Sequence, residues 1–93
     1  MVSRRAHRDL AEIWRFGARE WGSEQAFAYA EMINAAFELL RERPEIGSGR
    51  IVGAREVRRW VVGRHAILFY KRGTDLHVVR VLHTAMDEPR HLA

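Results

Sequence analysis

Cysteine is absent from this 93-residue chain, which excludes a disulfide framework and any thiolate metal site and suits a reducing cytoplasm. No apolar run approaches the roughly 18 residues needed to cross a bilayer. The start, Met1 to Arg8, has no apolar centre of the signal-peptide kind, so a soluble, cytoplasmic protein is expected. No glycine-rich phosphate loop, carboxylate pair or nucleophile with an adjacent base is present. His7, His65, His77 and His91 share no ligand spacing, so neither a metal nor a cofactor is expected. Lysine is nearly missing as well: Lys71 stands alone beside fifteen arginines.

What is present fits one domain, residues 1–93. A chain of this size buries only roughly 60 to 65% of its unfolded surface, which leaves no room for a second core. The net charge is +4, and its placement says more than its size. Residues 1–46 carry seven Arg against eight acids, whereas residues 47–93 carry eight Arg and Lys71 against four. The second half therefore holds the basic field, which attracts polyanions or acidic proteins or simply aids solubility.

Two helices are expected in the first half. Ser3 can cap the first, and Leu10, Ile13, Trp14, Gly17 and Trp21 recur at helical spacing with Gly22 as the stop. On that stripe Trp14 and Trp21 are expected in the core. Arg4, Arg5 and Arg8 occupy the first turn, where the helix dipole prefers acids. Ser23 is placed to cap the second helix, whose stripe is Ala26, Tyr29, Ala30, Ile33, Ala36, Phe37 and Leu40. Pro44 prevents continuation. The link from Pro44 to Gly53, with three glycines, reads as a mobile loop.

The last third reads as a three-stranded meander. Val57, Trp60, Val61 and Val62 form one run, and Gly63 with Arg64 makes a hairpin turn that begins with glycine. Ala66 to Tyr70 is apolar throughout and belongs in the middle of a sheet. A turn after Arg72 and Gly73 leads into Leu76 to Leu82, interrupted by His77 and Arg80. A charged residue within such a strand is costly to bury unpaired, so Arg80 either faces solvent across an open sheet face or is held there for a purpose. The sum is α+β, a helical hairpin packed on one face of a small antiparallel sheet. Two helices cover one face only. Val78, Leu82 and either Ile67 with Phe69 or Leu68 with Tyr70 are therefore expected to lack cover, since the tail Thr84 to Ala93 is short and polar. An apolar face rimmed by arginine marks a partner surface.

Several short motifs carry a family resemblance across nearly the whole chain. They are Asp9, Leu10, Ile13 and Trp14 in the first helix, Trp21 with Gly22 at its end, Arg43, Pro44 and Gly47 in the link, and Val81, Leu82, His83, Met86 and Asp87 near the close. With them the chain resembles the ParE branch of the RelE/ParE superfamily of bacterial toxins. The resemblance implies a helical hairpin on an antiparallel sheet, inhibition of DNA gyrase, and neutralisation by a ParD-like antitoxin in a hetero-oligomer. It calls for no membrane and no direct nucleic-acid contact. The family usually opens with a short edge strand, here reduced to Met1 and Val2 or missing. The RelE branch cleaves messenger RNA on the ribosome, and in those nucleases a Tyr, or a His followed by Tyr, closes the last strand. Here His83 is followed by Thr84, and the tyrosine is absent.

The candidate partner-binding residues are Leu10, Trp14, Arg58, Arg59, Trp60, Val78, Arg80 and Leu82. Trp60 lies among arginines, where it could stack on a base, pack under an antitoxin chain or join the core. Arg80 and His83 are weak catalytic candidates, because an imidazole near neutrality can carry a proton. Strand alternation puts the two on opposite faces unless the strand stops at Leu82.

Overall fold

A computed structural model describes residues 1–52 and 55–86. Helix α1 (Arg4–Trp21) and helix α2 (Ser23–Glu42) are followed by a single 3-10 turn, Pro44–Ile46. Strands β1 (Ser48–Val52), β2 (Arg55–Val62), β3 (His65–Arg72) and β4 (Asp75–His83) then form an antiparallel sheet in chain order. Gly53 and the tail from Asp87 onward, including the end of the last motif and His91, lie outside the described residues.

Ser3 caps α1 as expected: its Oγ accepts the Ala6 N–H at 3.0 Å. The same hydroxyl donates to the Val79 carbonyl at 2.7 Å, so the cap also pins the helix start to β4. Gly22, at φ +92°, ends α1 and is itself the N-cap of α2; Ser23 is the first helical residue and makes no cap bond. The reason is the single-residue link, since a glycine in that conformation reverses the chain before a serine cap can be used. The helices approach closely where Gly17 faces Ala26; a Cβ on Gly17 would lie 3.3 Å from the alanine's.

The link after Pro44 is not a loop. Pro44 opens the 3-10 turn, and Ser48–Val52 pairs along β2 from Ser48 opposite Arg59 to Val52 opposite Arg55. The sheet thus has four strands instead of three. Backbone pairing to β2 satisfies these peptide groups whatever their side chains, which is why a glycine-rich segment can become an edge strand. Gly47 has its own reason: a Cβ there would come within 2.7 Å of the Phe69 ring. The opposite edge carries a single-residue bridge, the abbreviated opening strand that the resemblance left open. Val2 bridges Val78 in parallel, with Ser3 N–H on the Val78 carbonyl at 2.9 Å and Val78 N–H on the Met1 carbonyl at 2.8 Å.

The main core lies between helices and sheet, with Ala6, Ile33, Phe37 and Leu40 above Ile67, Phe69, Leu76, Val78 and Val81. A bulge controls which residues of β4 take part. Phe69 pairs with Val78 but Leu68 pairs with Arg80, so Val79 is an extra residue and alternation changes phase there. On the other face Val57, Leu68 and Leu82 form a second cluster.

Two expectations about cover are corrected. Val78 and Leu82 are buried in the isolated chain, at 2% and 3% exposure, and so are Ile67, Leu68 and Phe69. The bulge turns Val78 and Val81 together under the helices, and Leu82 is buried with Val57 and Leu68 in the cluster on the other face. Trp14 and Trp21 are not core residues: they stand 39% and 55% exposed. The residues of α1 that are buried are Ala6 and Gly17, because helices this close need small side chains at the contact. Trp21 instead meets Phe16 edge to face at 5.5 Å.

Candidate functional site

Arg80 is the charged residue inside an apolar strand, and the structure supplies its partner. Its Nε and Nη2 donate to the two carboxylate oxygens of Asp9 at 2.8 and 2.9 Å, and the Val81 N–H donates to Asp9 Oδ2 at 3.0 Å. Both side chains are about seven-eighths buried. Hydrogen bonding to Asp9 holds the guanidinium above its ordinary pKa, against an opposing effect of burial. A two-pronged pair of this kind fixes orientation as well as charge. It fastens α1 to β4 and occupies the guanidinium.

Beside it lies a cluster that crosses from α2 to the sheet. The Tyr29 hydroxyl accepts the Arg64 N–H at 3.1 Å, lies 2.6 Å from His65 Nδ1 and 3.2 Å from the Val62 carbonyl. The hydroxyl has one proton, so two arrangements satisfy the group. Either it donates to a neutral His65 Nδ1, or it receives Nδ1–H and donates to Val62. Burial, then the neighbouring His83, lower the His65 pKa, while Asp9 raises it less. The neutral ring is thereby favoured at pH 7. His83 meets His65 edge to face at 5.6 Å, and its Nδ1 accepts the Ala85 N–H at 3.2 Å. Among the described residues no group of three or more His, Cys, Asp or Glu could hold a metal ion.

A groove runs between the helices, lined by Leu10, Ile13 and Trp14 of α1 and by Ala26, Ala30, Ile33 and Asn34 of α2. Its volume of about 120 Å³ has room for a side chain, not for a nucleotide. Leu10 and Trp14 are therefore brought together in one concave surface.

The other candidates are scattered. Arg58 and Trp60 pair with Phe69 and Ile67, on the helix side of the sheet, where Trp60 packs against the core. The Arg58 guanidinium donates to the Gly47 carbonyl at 2.9 Å. Arg59 pairs with Leu68 on the far side. Val78 and Leu82 belong to different apolar clusters on opposite faces. Strand β4 runs through His83, with Arg80 opposite Leu68 and His83 opposite His65 in the register, so the two catalytic candidates occupy opposite phases of the strand. The far face also carries a stack unforeseen in the sequence: Arg55 lies 4.4 Å from the Tyr70 ring centroid, and Tyr70 lies flat on His77 at 4.7 Å.

Asp9, Tyr29 and His65 are the participants that sequence reasoning missed. An arginine in a buried strand demands a carboxylate, and Asp9 is an acid of α1 on the flank next to its apolar stripe. Tyr29 sits on the apolar stripe of α2, and a tyrosine there needs a hydroxyl partner. Both signals were legible in principle.

Comparison with known proteins agrees with this architecture. Residues 1–88 match the family described as ParE toxin of type II toxin-antitoxin system, parDE. Toxin ParE1 of Caulobacter vibrioides is 37% identical over 91 residues, covering 98% of this chain and 94% of that one. Toxin ParE1 of Mycobacterium tuberculosis is 35% identical over 93 residues, covering 99% and 95%. In three dimensions the fold is similar to a chain of the chromosomal ParDE TA system from P. aeruginosa, with a TM-score of 0.73 at 21% identity over 88% of this chain and 90% of that one. Two helices over an antiparallel sheet, together with sequence identity sustained from one end of these toxins to the other, place the chain in the ParE toxin family of type II toxin-antitoxin systems.

Proposed function

We propose that this toxin inhibits DNA gyrase in the cytoplasm, acts without nucleolytic chemistry, and is neutralised by a ParD-like antitoxin in a hetero-oligomer. The observation that carries the reading is the near full-length match to ParE toxins. The site chemistry supports it. A nuclease of the RelE kind needs a free cation at the scissile phosphate and a base or acid near the 2'-hydroxyl. Arg80 is engaged by Asp9, Lys71 donates to the Arg41 carbonyl at 2.9 Å, and no tyrosine follows His83. The test is gyrase supercoiling with ATP in the presence of folded toxin. Supercoiling falls as toxin is added; unchanged supercoiling over a broad concentration range rejects the reading.

For the antitoxin, the groove at Leu10 and Trp14 suits one apolar side of an amphipathic segment. Arg58 and Trp60 offer basic and aromatic contacts on the helix side of β2, and Arg59 a basic one on its other face. Val78, Arg80 and Leu82 act from beneath, by holding the sheet that carries those contacts.

One observation keeps an enzymatic reading in view: His83, exposed at the end of β4, has a second imidazole, His65, beside it. In that reading Arg80 and His83 assist cleavage of messenger RNA in the ribosomal A site. Primer extension on RNA from cells expressing the toxin then shows cuts within codons. Growth arrest that survives His83→Ala, or the absence of cuts, rejects it.

A further inference from the structure

The two helices carry opposite charge on the side turned away from the sheet. With 3.6 residues per turn, Arg4, Arg8, Arg15 and Arg19 form one ridge of α1 opposite its buried Ala6 and Gly17. Glu24, Glu31 and Glu38, seven residues apart, form the matching ridge of α2 opposite its buried Ile33 and Leu40. All seven side chains are exposed. Between the ridges lies the groove floored by Ala30, with Trp14 standing 39% exposed on its wall and Phe27 61% exposed on α2.

We propose that this face pairs with the same face of a second copy of the chain. A two-fold axis parallel to the helices lays α1 of one copy antiparallel over α2 of the other and closes the assembly as a self-complementary dimer. Such an axis leaves heights along the helices unchanged. The intramolecular contact of Gly17 with Ala26 therefore fixes which charges meet. At 1.5 Å rise per residue, Arg19 lies level with Glu24, Arg15 falls between Glu24 and Glu31, Arg8 falls between Glu31 and Glu38, and Arg4 lies beside Glu38. Basic and acidic side chains interdigitate along both seams, and the two Trp14 rings come together near the axis.

Local pairing does not compete strongly. Glu12 with Arg15 and Glu38 with Arg41 are pairs between neighbouring turns of the same helix, each side chain about half exposed or more. Pairs of that kind hold their partners weakly and can be exchanged. The face measures about 30 Å by 20 Å for two helices side by side, so the dimer covers on the order of 1,200 Å² in total, at the lower end of specific interfaces. A copy seated there fills the groove assigned above to the antitoxin, which makes the two occupants competitors. The proposal does not depend on gyrase being the target.

Sedimentation equilibrium of the purified chain tests it. The wild type shows a monomer-dimer equilibrium whose dissociation constant rises with salt. Glu31→Arg with Glu38→Arg gives a mainly basic face that keeps Glu24, and Arg8→Glu with Arg15→Glu a mainly acidic one that keeps Arg4 and Arg19; each weakens self-association by about 10- to 100-fold. Mixed one to one, the two variants recover a dimer, because each then meets its opposite. Circular dichroism melts establish that both variants are folded, and Glu31→Gln with Glu38→Gln serves if a reversal is not. A wild type monomeric at every soluble concentration overturns the proposal, as do charge variants that dimerise like wild type or a mixture that stays monomeric.

Discussion

Asp9 and Arg80 meet across 71 residues of chain, with both carboxylate oxygens engaged by one guanidinium and a third bond arriving from the Val81 backbone. The pair is the main polar fastening between the first helix and the last strand. Removing one member leaves the other largely buried and unpaired, the condition under which ion pairs matter most. Asp9→Asn or Arg80→Ala should each lower stability by about 2–4 kcal/mol in urea unfolding. A double-mutant cycle should show coupling well above that of the exposed Glu12 and Arg15, for which less than about 0.5 kcal/mol is expected.

Gly63 and Gly73 start the β2–β3 and β3–β4 hairpin turns with nearly the same backbone, φ +58° and +60°. Their surroundings differ. A Cβ on Gly63 would lie 2.7 Å from the Tyr29 hydroxyl, whereas nothing lies within 4 Å of one on Gly73. Gly73→Ala should cost only the left-handed conformation, about 1–2 kcal/mol. Gly63→Ala should cost more, and thermal melts of the pair measure the excess due to displacing Tyr29.

The lowered pKa of His65 fixes a sign for pH dependence. An unfolded histidine near its ordinary value of 6.5 takes up protons sooner than the folded one, so the unfolded state gains as pH falls. Stability should be level in this respect above about pH 7 and decline as pH drops through 6.5 and below. Urea midpoints measured between pH 5 and 8 should show a shallower acid decline in His65→Gln.

Leu82 and Trp14 separate enclosure within the chain from contact with a partner. Leu82→Ala should destabilise the isolated chain by about 2–5 kcal/mol, since the side chain is already enclosed. Trp14→Ala should cost the isolated chain less. If the groove receives the antitoxin, it should instead shrink the rise in melting temperature that added antitoxin produces, which differential scanning calorimetry reads directly.

The helices were legible because their apolar residues recur at one period, and the hairpin turns because glycine marked them. Strand β1 was not. Its pairing uses backbone groups, and Gly47 and Gly49 give the signature of a loop whether or not the segment pairs. The bulge at Val79 was hidden for a different reason: β4 is apolar on both sides of it, so a change of phase leaves composition unchanged. That hidden shift produced the expectation that Val78 and Leu82 lacked cover. Trp14 misled because periodicity tells which stripe a residue shares, not how far the neighbouring helix leaves it room. The need of Arg80 for a carboxylate was legible, but which acid answers it was not, because Asp9 lies 71 positions away.

That same separation sets an order of events during synthesis. Helix α1 and most of its contacts with α2 are local and can form early. Asp9 lacks its full set of partners until Arg80 and then Val81 have been added, the latter 60 residues after Trp21, an interval of roughly 3 to 12 s at about 5–20 residues per second. Until then the side of α1 that will rest on β4 is open to whatever is nearby. An antitoxin that arrives in this interval meets a toxin whose first helix and last strand are not yet joined.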